Sequence, residues 1–162
     1  MLTVSPEELS KYLSYDDHDL ESKIQMFLEV AKSLIDVRPE LALQRARQAA
    51  HLFEGDGSTV KSGDVNLRSD IYLMIMRSIL QCISTGTGDK SEHNIFLREA
   101  YEASLECEQE DISLAILGFM NFRNEQDGTK KFSLLVKLFE NKNNVPANDR
   151  WAMNGFNRLY SD

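Results

Sequence analysis

Apolar residues recur along this chain every three or four positions, separated by polar breaks, and that spacing predicts helices from end to end. Over residues 20–35 the stripe is Ile24, Phe27, Leu28, Ala31, Leu34 and Ile35. Only Asp36, Val37 and Arg38 separate it from Pro39, which suits the first turn of a new helix because its missing N–H has no intrahelical partner there. Ala42, Ala46, Ala49 and Ala50 then fall on one face made only of methyl groups, and Gly55 and Gly57 supply the stop. A connection this short makes the two helices antiparallel, a hairpin over residues 20–54.

The pattern repeats. A second hairpin is expected over 65–108, where Leu67, Ile71, Met74, Ile75, Ile79 and Cys82 form a stripe that Tyr72, Leu73, Met76 and Leu80 widen almost around the helix. A helix so broadly apolar belongs in the middle of a packed stack. Its partner carries Phe96-x3-Ala100-x2-Ala103, echoing Ala42-x3-Ala46-x2-Ala49. A third hairpin is expected over 111–140, with Asp111 as cap, Gly118 at a small-residue position, and Phe132-x3-Val136-x2-Phe139 in the same register. A short helix over 6–13, opened by Ser5 and Pro6, and a final helix over 147–160 bring the expected number to seven or eight. The chain therefore reads as one all-α domain spanning 1–162.

The motif Phe27-x2-Val30-Ala31-x2-Leu34, a turn, then Ala42-x3-Ala46-x2-Ala49 resembles a tetratricopeptide repeat. The resemblance implies antiparallel hairpins stacked into a right-handed superhelix, with Ala31 meeting Ala42 and Ala46, and a final helix that closes the stack or begins another unit. It covers about thirty residues. The family's aromatic and Gly-Asp/Asn turn signatures are absent, and corresponding positions at Phe27, Tyr72 and Leu114 lie farther apart than the family's period of about 34 residues. A plain helical bundle is the alternative.

Composition narrows the function. Eighteen basic against 26 acidic residues give a net charge of −8, with no basic run to neutralise phosphates, which argues against nucleic acid and against anionic membranes. No apolar run is long enough to span a bilayer, and the first residues lack the basic and apolar regions of a secretory signal. Two cysteines, Cys82 and Cys107, both in helical patterns, are expected to be buried reduced thiols, and the chain to be intracellular and cytoplasmic. Asp16, Asp17, His18 and Asp19 are donors but are adjacent in sequence, without the glycine and terminal glutamate of a calcium loop, so no metal is expected. The Gly/Ser-rich loop at 54–64 follows a helix and lacks the Gly-Lys-Ser/Thr ending of a phosphate loop. None of His18, His51 and His93 is placed beside a serine or cysteine nucleophile, so no catalytic residue and no cofactor are expected.

What remains is a binding surface. In tetratricopeptide-like stacks the first helices of each unit line a groove for a peptide or partner helix, and the resemblance carries that role to Lys32, Arg77, Phe119 and Phe122. Two cations with aromatic anchors suit a segment bearing acidic and apolar residues. The expected function is a non-enzymatic protein-interaction scaffold. Its rivals are a small acidic chaperone, resembling the tetratricopeptide chaperones of type III secretion in size and acidity, and a peptide-sensing regulatory domain.

Overall fold

The computed structural model describes residues 20–55 and 65–161, and within them every regular element is a helix. In chain order these are α1 (Leu20–Leu34), α2 (Pro39–Gly55), α3 (Val65–Ser84), α4 (Lys90–Glu106), α5 (Glu110–Asn124), α6 (Gly128–Asn144) and α7 (Arg150–Ser161). The helix expected over 6–13 and the acidic run at 16–19 lie outside the described residues, as does the loop at 56–64.

From α1 to α6 each helix packs on its neighbour in sequence, and α1 also touches α3. The methyl faces explain the first contacts. Ala31, Ala42, Ala46 and Ala49 are fully buried, and side chains this small let helix backbones approach closely. At the centre lies α3, where Ile71, Met76, Ile79, Leu80, Cys82 and Ile83 are all fully buried. Its wide apolar surface is covered by α2, α4 and α7 together.

Three boundaries differ from the expected ones. The polar run from Asn141 to Asn144 does not end α6, which continues to Asn144. Pro146 ends it by forcing Val145 into an extended conformation, with φ −66° and ψ 132°. Helix α7 starts at Arg150 because Asp149 accepts a hydrogen bond from the Ala152 backbone N–H at 3.2 Å. Asp111 is not the cap of α5. The helix begins at Glu110 after Gln109, which makes no side-chain cap bond. Asp111 instead sits in the first turn, where its charge complements the helix dipole.

The final helix also departs from expectation. It neither closes the far end of the stack nor starts a new unit, but returns to lie along α3. Ala152, Gly155, Phe156 and Leu159 form its buried stripe, at i, i+3, i+4 and i+7. Gly155 sits so close to α3 that a Cβ there would lie 2.7 Å from the Leu80 carbonyl oxygen and 2.8 Å from the Leu80 Cβ. At its start, Asp149 is buried and pairs with Arg77 of α3 at 3.0 Å. The Arg77 guanidinium also lies 5.1 Å from the centre of the Trp151 ring. At its other end Tyr160 stacks on Phe119 of α5, meets Phe139 of α6 edge-on, and donates its hydroxyl to the Leu138 carbonyl at 3.3 Å.

A further tie joins α7 to the turn after α1. Asp36 accepts from the Arg150 guanidinium at 2.8 Å and from the Trp151 indole N–H at 3.1 Å. The Arg150 guanidinium beside it, helped by the Trp151 N–H, holds the Asp36 carboxyl below its ordinary value of 3.8. A carboxyl whose folded value is depressed contributes stability above its unfolded value and loses it as pH falls through the folded one. Asp36→Asn is therefore expected to lower the melting temperature at pH 7, and the gap to wild type should close below about pH 4. Thermal melts of both proteins from pH 7 to pH 2 check this; a gap independent of pH would show that the charge contributes nothing.

Candidate functional site

The four residues expected to line a groove do not converge. Lys32 is exposed on α1 and reaches Glu29 on its own helix at 3.4 Å. Arg77 is engaged by Asp149 and Trp151, so α7 covers the face of α3 that was expected to receive a partner. Phe119 is buried against Tyr160, and Phe122 is half-buried nearby. Only the two phenylalanines share a site.

That site is a cavity of about 350 Å³ between α5, α6 and the end of α7, with His93 of α4 at one edge. Phe119 and Phe122 come from α5, Leu135 and Leu138 from α6, and Leu159 and Tyr160 from α7. The helical register explains the grouping: Phe119 and Phe122 lie three apart on one face of α5, as do Leu135 and Leu138 on α6. Arg123 and Lys131 add charge to this apolar lining. The Arg123 guanidinium lies 6.0 Å from the Phe119 ring centre and the Lys131 ammonium 5.0 Å from that of Phe122, both within cation–π range. His93 is oriented by a 2.9 Å hydrogen bond between its Nε2 and the Thr87 carbonyl. Burial pushes the Tyr160 phenol up to about 12, so it stays a neutral donor at physiological pH.

Beside the cavity lies an open apolar stripe. Phe132, Val136 and Phe139 of α6 are 70%, 48% and 52% exposed, although their spacing matches the buried stripe of α2. The expectation that they pack in the same register is corrected here. In α2 and α4 the corresponding alanines, Ala42, Ala46, Ala49, Ala100 and Ala103, are buried, and each of those helices is packed by a helix on either side of it in sequence; α7, the helix that follows α6, crosses to α3 instead. Leu138 is the one residue of α6 that is fully withdrawn from solvent. The helix also carries Lys130, Lys131, Lys137 and Lys142 against a single Glu140, a positive element in an acidic chain. Stripe and cavity are continuous through the Phe139–Tyr160 contact.

A second groove, about 680 Å³ and wide open, runs along α1 and α2 by Phe27 and Leu52. Its one arginine, Arg47, is already held by Glu99, which leaves Lys23 and His51 as its other basic side chains. The thiols offer no nucleophile: Cys82 and Cys107 are free and buried, and desolvation pushes them up to about 12 and about 11. Among the described residues no group of three His, Cys, Asp or Glu is placed to hold a metal ion, and no helix is long and apolar enough to cross a membrane.

The chain matches no protein-family model, no curated protein and no solved structure.

Sequence reasoning identified Phe119 and Phe122 but missed Arg123, Lys131 and Tyr160. One signal was present: Phe119 and Arg123 are four apart on a helix and so share a face. Lys131 reaches Phe122 across the α5–α6 turn, which no helical period encodes.

Proposed function

We propose that this chain is a non-catalytic interaction module that receives an amphipathic, acidic segment of another protein on the outer face of α6. The observation that carries this reading is the exposed Phe132–Val136–Phe139 stripe on a lysine-rich helix. Large apolar side chains left in a row in water mark contact surfaces, and the corresponding alanines of α2 and α4 are buried. A partner helix laid there would bury its apolar side on the stripe and place carboxylates by the lysines. The buried free thiols support a reducing, intracellular setting. The tetratricopeptide-like pattern of the first hairpin supports the same reading, with the binding face moved from the first helices to α6.

The triple variant Phe132→Ser/Val136→Ser/Phe139→Ser tests it. Exposed positions tolerate such changes, within about 0.5 kcal/mol at each, and losing the Phe139–Tyr160 edge contact costs about 1 kcal/mol more. Helix content should therefore be unchanged, and the melting temperature should fall by only a few degrees, about 2–4 °C per kcal/mol. Calorimetry with a designed amphipathic helical peptide bearing glutamates along its flanks should show binding to wild type that the variant loses. A peptide of the same apolar pattern with lysines for glutamates should bind at least about tenfold more weakly, and the preferred peptide should weaken with added salt. Equal binding of the two peptides, or full binding by the variant, would remove α6 as the docking face.

A further inference from the structure

From the cavity between α5, α6 and α7 we infer a second, independent site: it takes a small monocarboxylate with a compact apolar body. This does not depend on what docks along the α6 stripe. Three observations carry it. The volume, about 350 Å³, is at the small end of ligand pockets and equals the space of roughly a dozen water molecules, hence roughly ten to twelve non-hydrogen atoms. The walls are aromatic and aliphatic, so a fully hydrated ion such as free phosphate does not suit them. Arg123 and Lys131 meet at this cavity from two different helices, and neither is held by a carboxylate among the described residues.

The sign of the charge decides the ligand class. The ends of α5 and α7 point backbone carbonyls toward this region, each equivalent to about half a negative charge at most. Two full positive charges outweigh them. Among the described residues no aspartate or glutamate lines the cavity, and Asp89, four residues before His93, is occupied as the cap of α4, accepting from the Glu92 N–H at 2.9 Å and from Ser91 at 2.7 Å. The excess in the cavity is therefore positive. A carboxylate placed between Arg123 and Lys131 would form charge-assisted hydrogen bonds, while its apolar body rests on Phe119, Phe122 and Leu138. The two cations now lie over aromatic rings, so they are held near the cavity without being spent on an ion pair.

The same chemistry could come from a free acid or from the C-terminal carboxylate of a peptide, and the test separates them. Isothermal titration calorimetry on the wild-type chain would use 3-phenylpropionate as the free acid and acetyl-Gly-Gly-Phe as the chain end. 3-Phenylpropylamine and the amide of the tripeptide serve as charge controls. The expected result is saturable binding of at least one acid, with Kd of about 0.1–1 mM and its control at least about tenfold weaker. The tighter of the two acids identifies the source. Arg123→Ala/Lys131→Ala should weaken the acid by about tenfold or more at an unchanged melting temperature. Leu135→Trp, which fills the cavity from α6, should abolish binding while Phe132→Ser/Val136→Ser, which leaves the Phe139–Tyr160 contact in place, does not change it. No saturation by either acid up to about 10 mM, equal binding of acid and amine, or unchanged binding in the double variant would overturn the inference.

Discussion

Arg77→Ala is expected to lower the stability of this protein by about 3 kcal/mol, which for a chain of this size is a fall in melting temperature of about 6–12 °C. The cost comes from what is left behind. The Asp149 side chain is only 4% exposed and its charge is balanced by the Arg77 guanidinium at 3.0 Å. Without the arginine a buried carboxylate stands uncompensated, and Trp151 loses one of the two guanidiniums over its ring, keeping Arg150 at 4.3 Å. Asp149→Asn should cost less, because asparagine still caps α7 through the Ala152 N–H. The double variant Arg77→Ala/Asp149→Asn should recover part of the loss, since it removes both charges together. Urea unfolding of the four proteins closes the cycle. A single Arg77→Ala variant within about 0.5 kcal/mol of wild type, the range of ordinary surface changes, would show that the pair does not hold α7 in place.

Gly155→Ala is expected to destabilise by about 1–3 kcal/mol, although alanine is the better helix former by about 1 kcal/mol. The added methyl would meet the Leu80 carbonyl oxygen and Cβ, both fixed by helix α3, at distances no real Cβ adopts. Helix α7 would have to lift away from α3 along its whole buried stripe. Gly118→Ala is the control. Its new Cβ would lie 3.0 Å from the Asn141 amide nitrogen, the far end of a side chain that can rotate aside. That variant should be neutral or slightly stabilising. Parallel melts of the two alanine variants check the contrast; equal effects would mean that the close approach at Leu80 does not exist in solution.

Both predictions concern α7, which is where sequence and structure part. Local features were legible: Pro39 opens α2, the methyl faces of Ala42, Ala46 and Ala49 are buried, and the broadly apolar α3 lies at the centre. These follow from periodicity and caps, which are properties of neighbouring residues. The placement of α7 is not such a property. Its stripe states which face is buried, and several helices offer an apolar surface to receive it. The clue that was passed over is Gly155, a glycine within a helical pattern, which marks a close backbone approach when it has no role in a turn. The misplacement had a consequence for function. With α7 assumed to extend the stack, Arg77 appeared free and Phe132, Val136 and Phe139 appeared covered. In the structure Arg77 is engaged and the stripe is open. Phe119 and Phe122 stayed within the candidate site because the cavity lies at the edge of α7's reach.

The return of α7 to α3 also sets an order of events during synthesis. Helices α2 to α6 can each dock on the element made just before them, so their assembly can follow translation step by step. The flank of α3 around Arg77 and Leu80 has no such neighbour. Its cover is residues 150–161, which at about 5–20 residues per second arrive several seconds after α3 itself. Throughout that interval the nascent protein exposes a groove shaped for an aromatic-bearing helix. Its own later segment must reach that groove before any other helix in the cell does.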